Sequence, residues 1–172
     1  DLGPTGFPFE KYLERIFKDL GYNATTDVIM PGECVKHEID VLLEKDGKRS
    51  IVEAKFHNTP GTKTDVQTAL YSYARFLDVK DKNNIDEIWL VTNTKLTEDA
   101  IVYSQCKGIR AVGWAYPGEG NLQDVVEKPE HYPITILKDL NREERERLLL
   151  NNIILTCDLL KIPQNDLTGK FQ

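Results

Sequence analysis

Apolar residues recur at helical spacing behind Pro8, at Phe9, Leu13, Ile16, Phe17 and Leu20, and Gly21 follows where helices stop. This predicts an opening amphipathic helix. Residues 23–30 read as a first strand, turned by Pro31-Gly32 into residues 37–56, HEIDVLLEKDGKRSIVEAKF, where apolar and polar positions alternate on both sides of Asp46-Gly47. Asp-Gly is the dipeptide that a two-residue type I′ turn requires, so the segment predicts a β-hairpin. A loop over residues 58–62 leads to a second helix at about 64–79, with Val66, Ala69, Leu70, Tyr73, Phe76 and Leu77 on its buried face and a polar turn at 81–84. The run Ile88-Trp89-Leu90-Val91 predicts a buried strand, Thr97 caps a helix to Lys107 that Gly108 ends, and residues 109–114 give a further strand. That last stretch is a βαβ unit with parallel strands. The order α-β-β-β-α-β, extended by one helix and strand, predicts an α/β fold: a mixed sheet covered by helices on both faces.

Beyond Tyr116 the pattern changes. Residues 117–121 form a glycine-rich loop and 127–133 an irregular stretch. Asn141 with Glu144 makes a capping box for a helix through Leu150, and a short helix follows from about Thr156. The division expected is therefore residues 1–116 as one domain and 117–172 as a linker with a helical appendage. The two helices around Asn151-Asn152 faintly suggest a helix-hairpin-helix element, but the glycine such a hairpin needs is missing, and packing on the domain is the reading preferred.

The hairpin carries the chemistry. If Asp46 and Gly47 are the loop, Lys45 pairs with Lys48, Leu42 with Ile51, Asp40 with Glu53 and Glu38 with Lys55, all by one register. Like charges directly opposite one another are unfavourable in a sheet unless a cation neutralises them. The Asp40 and Glu53 carboxylates should accordingly converge within reach of one cation, with Lys55 beside them on the same face. Two acids and a lysine on a rigid strand pair suit a Mg²⁺-dependent phosphodiesterase. The competing reading is a structural ion cluster in which Lys55 pairs with Glu38. His37 falls by parity on the face opposite Asp40 and reads as structural.

The 172 residues suffice for a sizeable core, and 40% hydrophobic with 29% charged residues is ordinary for a globular chain. No apolar run approaches a membrane span and no signal peptide is visible. Cys34, Cys106 and Cys157 are odd in number and form no CxxC pair, so neither a disulfide framework nor a zinc site is suggested and a reduced, cytoplasmic setting is expected. The chain opens at Asp1 without methionine and reads as a piece of a longer protein. A net charge of −6 runs against the basic surface usual in nucleic-acid binders, because phosphate contacts supply most of their affinity.

Residues 7–114 resemble the PD-(D/E)XK nuclease superfamily, most closely its Mrr-like restriction endonuclease branch. The resemblance rests on Phe9-Glu10 opening the first helix, Glu38-Ile39-Asp40, Glu53-Ala54-Lys55, Gln67 in the next helix and Leu90-Val91-Thr92-Asn93 ending a strand. Ile39 stands where the superfamily often has proline. The resemblance implies a restriction-endonuclease-like fold and Mg²⁺-dependent cleavage of DNA, with Mn²⁺ as a substitute ion. Asp40, Glu53 and the backbone carbonyl of Ala54 would hold the metal. Lys55 would act on the attacking water, and Glu10 and Gln67 would assist through water or phosphate. His57 and Lys63, in the loop after the site, are within the range of a phosphate contact, though a solvated loop is the default, while Thr92 and Asn93 read as caps of the next helix. Tyr71, Tyr73 and Phe76 read as core. A homodimer that cuts both strands and an upstream ATP-cone domain are compatible with the resemblance. The alternatives are a DNA-binding or regulatory module with a vestigial site, and a repair or junction-processing nuclease.

Overall fold

The computed structural model describes residues 8–59, 61–127 and 131–162. Helix α1 (Phe9–Asp19) buries Phe9, Tyr12, Leu13, Ile16 and Phe17. It ends one residue before Leu20, which is left 44% exposed, and Gly21 takes the left-handed φ of 82° that the exit requires. Strands β1 (Asn23–Pro31), β2 (Lys36–Lys45) and β3 (Lys48–Lys55) follow as an antiparallel meander. After a two-residue strand β4 (Lys63–Thr64) come α2 (Val66–Asn83), β5 (Glu87–Thr92), the short β6 (Lys95–Leu96), α3 (Glu98–Lys107) and β7 (Arg110–Val112). The main sheet has the order β1-β2-β3-β5-β7, with β3, β5 and β7 parallel, and β4 pairs with β6 in a separate two-stranded sheet. This is the restriction-endonuclease-like architecture expected from the order of elements.

Two apolar clusters lie on the two faces of the sheet. One joins α1 to Val41, Leu43, Val52 and Val91; the other joins Ala69 and Val79 of α2 and Ala100 of α3 to Ile39, Ile51, Ile88 and Leu90. The chain after Tyr116 adds to the first cluster. It forms α4 (Leu122–Glu127), a single 3₁₀ turn (Ile134–Ile136), α5 (Arg142–Leu150) with the expected Asn141–Glu144 capping box, and α6 (Thr156–Leu160). Leu122, Val126, Ile154 and Leu155 are buried against α1, and the Tyr12 hydroxyl donates to the His131 carbonyl at 2.8 Å. Helix α4 was absent from the pattern because a six-residue helix shows too little periodicity. Among the described residues no helix is long and apolar enough to cross a membrane.

The turn sets the hairpin register as expected: Asp46 and Gly47 have φ of 52° and 76°, and Lys45 pairs with Lys48, Leu42 with Ile51 and Val41 with Val52. Regular pairing stops there. Asp40 and Glu53, expected as a cross-strand pair, lie just beyond the last paired residues, and Glu38 is likewise not laddered to Lys55. Parity also breaks at this level. Ile39 belongs to the α2 face, whereas Val41, two residues on, belongs to the α1 face. Asp27, opposite this point on β1, has φ of 57° and is skipped between the pairs Thr26–Val41 and Val28–Ile39. His37 lies on the α2 side, where its Nε2 is 2.7 Å from Asp78 Oδ2, and the parity placement is corrected.

Helix α2 runs to Asn83, past the expected end at 79, and residues 81–83 are helical instead of a turn. Tertiary contacts hold this extension. Asp78 accepts from the Cys34 N–H at 2.8 Å, Lys82 Nζ donates to the Gly32 carbonyl at 2.8 Å, and Asn83 Nδ2 donates to the Pro31 carbonyl at 2.9 Å. Leu70 and Leu77, expected inside, are 46% and 42% exposed, because Ser72 and Val79 occupy the covered stripe. Gly32 is buried in this clasp, and a Cβ there would overlap the Asp78 carboxylate and the Val35 carbonyl. Gly32→Ala should cost about 2 kcal/mol, read as a fall in Tm of roughly 4–8 °C. An unchanged Tm would show that the clasp yields without loss.

Candidate active site

Where β2 and β3 part, a side chain takes over from the ladder. Asp40 Oδ2 accepts the Ala54 N–H at 2.7 Å, satisfying a backbone donor that the opening hairpin leaves free. Glu53 projects beside it, and Arg75 enters from α2. Its Nη1 lies 2.7 Å from Glu53 Oε2 and 4.0 Å from Asp40 Oδ1, and also donates to the Glu38 carbonyl at 3.1 Å. The two carboxylates thus converge on one cationic nitrogen. Tyr71, one turn earlier, accepts from Arg75 Nη2 at 2.8 Å and offers its ring at 4.8 Å. Arg75 Nε is buried with no hydrogen-bond partner.

The electrostatics show a surplus of negative charge. Burial pushes the Glu53 carboxyl up to about 7, and the Asp40 charge adds to the rise, against the pull of Arg75 and Lys55. Asp40 is raised by burial too, although the Ala54 N–H and Arg75 oppose the shift. Glu10, in the first turn of α1, is raised by burial and by the charges of Asp40 and Asp27. The ring of Phe9 packs 5.5 Å from that of Phe56, which anchors the start of α1 beside the end of β3. Glu14 is the alternative acid one turn on, but it is engaged with Lys18 at 2.6 Å. Among the described residues Glu10 forms no ion pair.

The donor set suits a hard divalent cation. The N–H and C=O of an extended residue face the same strand edge, so the Ala54 carbonyl is directed to the gap that its N–H enters. Among the described residues no three His, Cys, Asp or Glu side chains gather closely enough to hold a metal ion. A cation here would therefore draw on two carboxylates, one backbone carbonyl and water, a ligand set that Mg²⁺ accepts because it usually keeps several waters.

The other expected residues divide. Lys55 ends β3, is exposed, and its charge acts on both Glu53 and His57; among the described residues it has no ion pair, so the bridge to Glu38 does not form. Gln67 is exposed in the first turn of α2 with no side-chain hydrogen bond among the described residues, two turns before Arg75 on the same helix face. Thr92 and Asn93 do not cap α3; Thr97 does. Instead the Asn93 side chain clasps the His57 backbone, accepting from its N–H at 2.8 Å and donating to its carbonyl at 2.9 Å. Tyr71, read as core, is 57% exposed. Arg75 was missed. The available signal was the i, i+4, i+8 spacing of Gln67, Tyr71 and Arg75, which puts all three on one face of α2.

Comparison with known proteins accords with the fold. Residues 4–113 match the family model described as restriction endonuclease, and residues 132–172 the model described as AF1548-like, C-terminal. An uncharacterised protein of Archaeoglobus fulgidus is 38% identical over 155 residues, covering 90% of this chain and 87% of its own. The crystal structure of a protein of unknown function, AF1548, aligns with a TM-score of 0.86 at 36% identity, covering 96% of this chain and 89% of that one.

The raised Glu53 carboxyl has a consequence for stability. Between about pH 4.5 and 7 the folded, metal-free protein keeps a proton that the unfolded chain has lost, so stability should fall as pH rises through this window. The contribution is on the order of 2–3 kcal/mol. With EDTA present, the Tm of the parent should fall more steeply from about pH 5 to pH 8 than that of Glu53→Gln. Parallel Tm profiles would show that Glu53 titrates normally.

Proposed function

The chain belongs to the Mrr-type restriction endonuclease family, and on that premise we propose that it is a Mg²⁺-dependent endonuclease hydrolysing phosphodiester bonds of DNA. The observation that carries this reading is the convergence of Asp40 and Glu53 on a single nitrogen of Arg75, next to Lys55 at the end of β3. A pair of half-buried acids with raised proton affinity at the open end of a hairpin is costly as scaffolding and useful as a metal seat.

In this reading Asp40, Glu53 and the Ala54 carbonyl hold Mg²⁺, or Mn²⁺ in its place. The ion, when bound, acidifies a water and neutralises charge on the phosphate. The Ala54 N–H fixes the Asp40 rotamer, so one carboxylate oxygen stays directed at the gap. Lys55 orients the attacking water and stabilises the charge that builds on the phosphoryl oxygens. Glu10 accepts a hydrogen bond from a water at the rim. Gln67, exposed near the positive end of α2, presents its amide to a phosphate. Arg75 keeps the two carboxylates from repelling each other and holds α2 against the hairpin. The division into a nuclease unit at residues 1–116 and an appendage at 117–172 is supported by where the two family matches fall, and Leu122, Val126, Ile154 and Leu155 of the latter are buried with α1.

Plasmid and linear DNA should be cut with Mg²⁺ or Mn²⁺ and left intact with EDTA. Asp40→Asn, which keeps an acceptor for the Ala54 N–H, should lower the rate by about 10²–10³-fold with the Tm preserved. Metal-dependent cutting by Asp40→Asn at the parent rate would sink the assignment, and DNA binding by a parent that never cuts would favour a regulatory module.

Lys55 can be tested apart from the metal. Lys55→Ala should slow cleavage by about 10²-fold while DNA affinity at one salt concentration holds. Lys55→Arg should rescue poorly, because a planar guanidinium does not replace a compact ammonium. Parent rates in both variants would remove Lys55 from the chemistry.

A further inference from the structure

A second cleft, of 440 Å³, lies beyond the carboxyl ends of the parallel strands. It is lined by His57, two residues past the end of β3, by Asn93, Thr94 and Lys95 after β5, by Trp114 after β7, and by Lys63 of β4. In open α/β sheets this is where ligands bind, and the volume falls in the range of small-molecule sites, roughly 300–1,000 Å³. None of the described residues lining it is acidic, in a chain whose net charge is −6.

Lys63 and Lys95 are register partners in the short parallel sheet. Both are exposed, and among the described residues neither forms an ion pair. Two cations at paired positions repel unless an anion lies between them. The walls around them are rigid. The Asn93 side chain clasps the His57 backbone, the His57 ring reaches Thr64 Oγ1 at 3.1 Å, and Thr64 donates onward to Thr92 at 2.8 Å, both threonines being fully buried. The Trp114 backbone N–H donates to the Thr94 carbonyl at 3.0 Å. Preorganised aromatic rings beside paired lysines are the ingredients of a site for one nucleotide, with a base to stack and a phosphate to neutralise.

We propose that this cleft takes a single unpaired nucleotide of the DNA strand, its base against Trp114 and His57 and its phosphate between Lys63 and Lys95. Because the cleft begins two residues beyond Lys55, that nucleotide neighbours the scissile phosphate; this placement, unlike the cleft itself, rests on the nuclease reading.

The test is binding without chemistry. A fluorescein-labelled oligothymidylate of about eight nucleotides and a chain of abasic deoxyribose phosphates of the same length are titrated with protein in EDTA and followed by anisotropy. The parent should bind oligothymidylate about tenfold more tightly than the abasic chain, and Trp114→Leu should erase that difference. The double variant Lys63→Gln, Lys95→Gln should bind both strands at least about tenfold more weakly, and the slope of log affinity against log salt should shrink by about 0.7, the share of one phosphate. Parent affinity and slope in the double variant, at unchanged Tm, would overturn the proposal, as would equal binding of both strands by the parent. Free thymidine monophosphate competing as well as the oligonucleotide would overturn the assignment to a strand. A parent that shows the lysine-dependent binding yet never cuts DNA with Mg²⁺ would keep the cleft and sink only the nuclease reading.

Discussion

The guanidinium of Arg75 ties helix α2 to the mouth of the β2–β3 hairpin, and the arrangement of the site follows from that contact. The hairpin opens after Val41 and Val52, leaving two acids and an unpaired backbone donor together at low exposure. Asp40 satisfies the donor, and Arg75 supplies the opposite charge at 2.7 Å from Glu53. Removing an ion-pair partner from such a place strands a buried charge, a loss of several kcal/mol, whereas forming the pair gains little beyond its desolvation. The pair therefore acts more as a constraint on where α2 lies than as a source of stability. Farther along the helix, Asp78 adds a second anchor by gathering the β1–β2 loop and His37. That anchor is electrostatically strong: hydrogen bonds from Cys34 and His37 hold the Asp78 carboxyl well below the usual carboxylate range.

Acids and lysines flank the carboxyl end of β3. Glu10, Asp40 and Glu53 gather with Arg75, while Lys63 and Lys95 are paired in the short sheet, and the Lys55 charge acts on both Glu53 and His57. A global charge of −6 would weaken association with a polyanion at long range. At contact distances the local field decides, since screening removes distant charges beyond roughly 8–10 Å at ordinary ionic strength. An acidic protein can in this way carry a short basic stretch beside a pair of carboxylates.

The segment after Tyr116 bears on the site through α1. Leu122, Val126, Ile154 and Leu155 complete the apolar cover of α1, whose first turn carries Glu10. Arg15 of α1 reaches Asp158 of α6 at 2.9 Å, which adds a polar tie between the same two parts. Packing of this kind fixes the position of α1 along the sheet, and with it the approach of Glu10 to Asp40.

Local chemistry determined much of this molecule. The Asp46-Gly47 turn, the Thr97 and Asn141 caps, the glycine exits and the α1 stripe each depend on interactions a few residues apart, so the strings of residues themselves specify the elements, their order and the register of the hairpin as far as Val41. The nearness of Asp40 to Glu53 follows from that register. Only the tertiary structure decided where the register stops, since beyond Val41 and Val52 the Asp40 side chain takes the Ala54 N–H and Arg75 of α2 meets both acids. It likewise decided that α2 runs on to Asn83 and that His37 meets Asp78, since both depend on the loop that α2 clasps. Arg75 was illegible for the same reason: its partners lie 22 and 35 positions away in the chain. Helical spacing names the face on which an arginine sits, but only the packing of helix on sheet selects the carboxylates it meets.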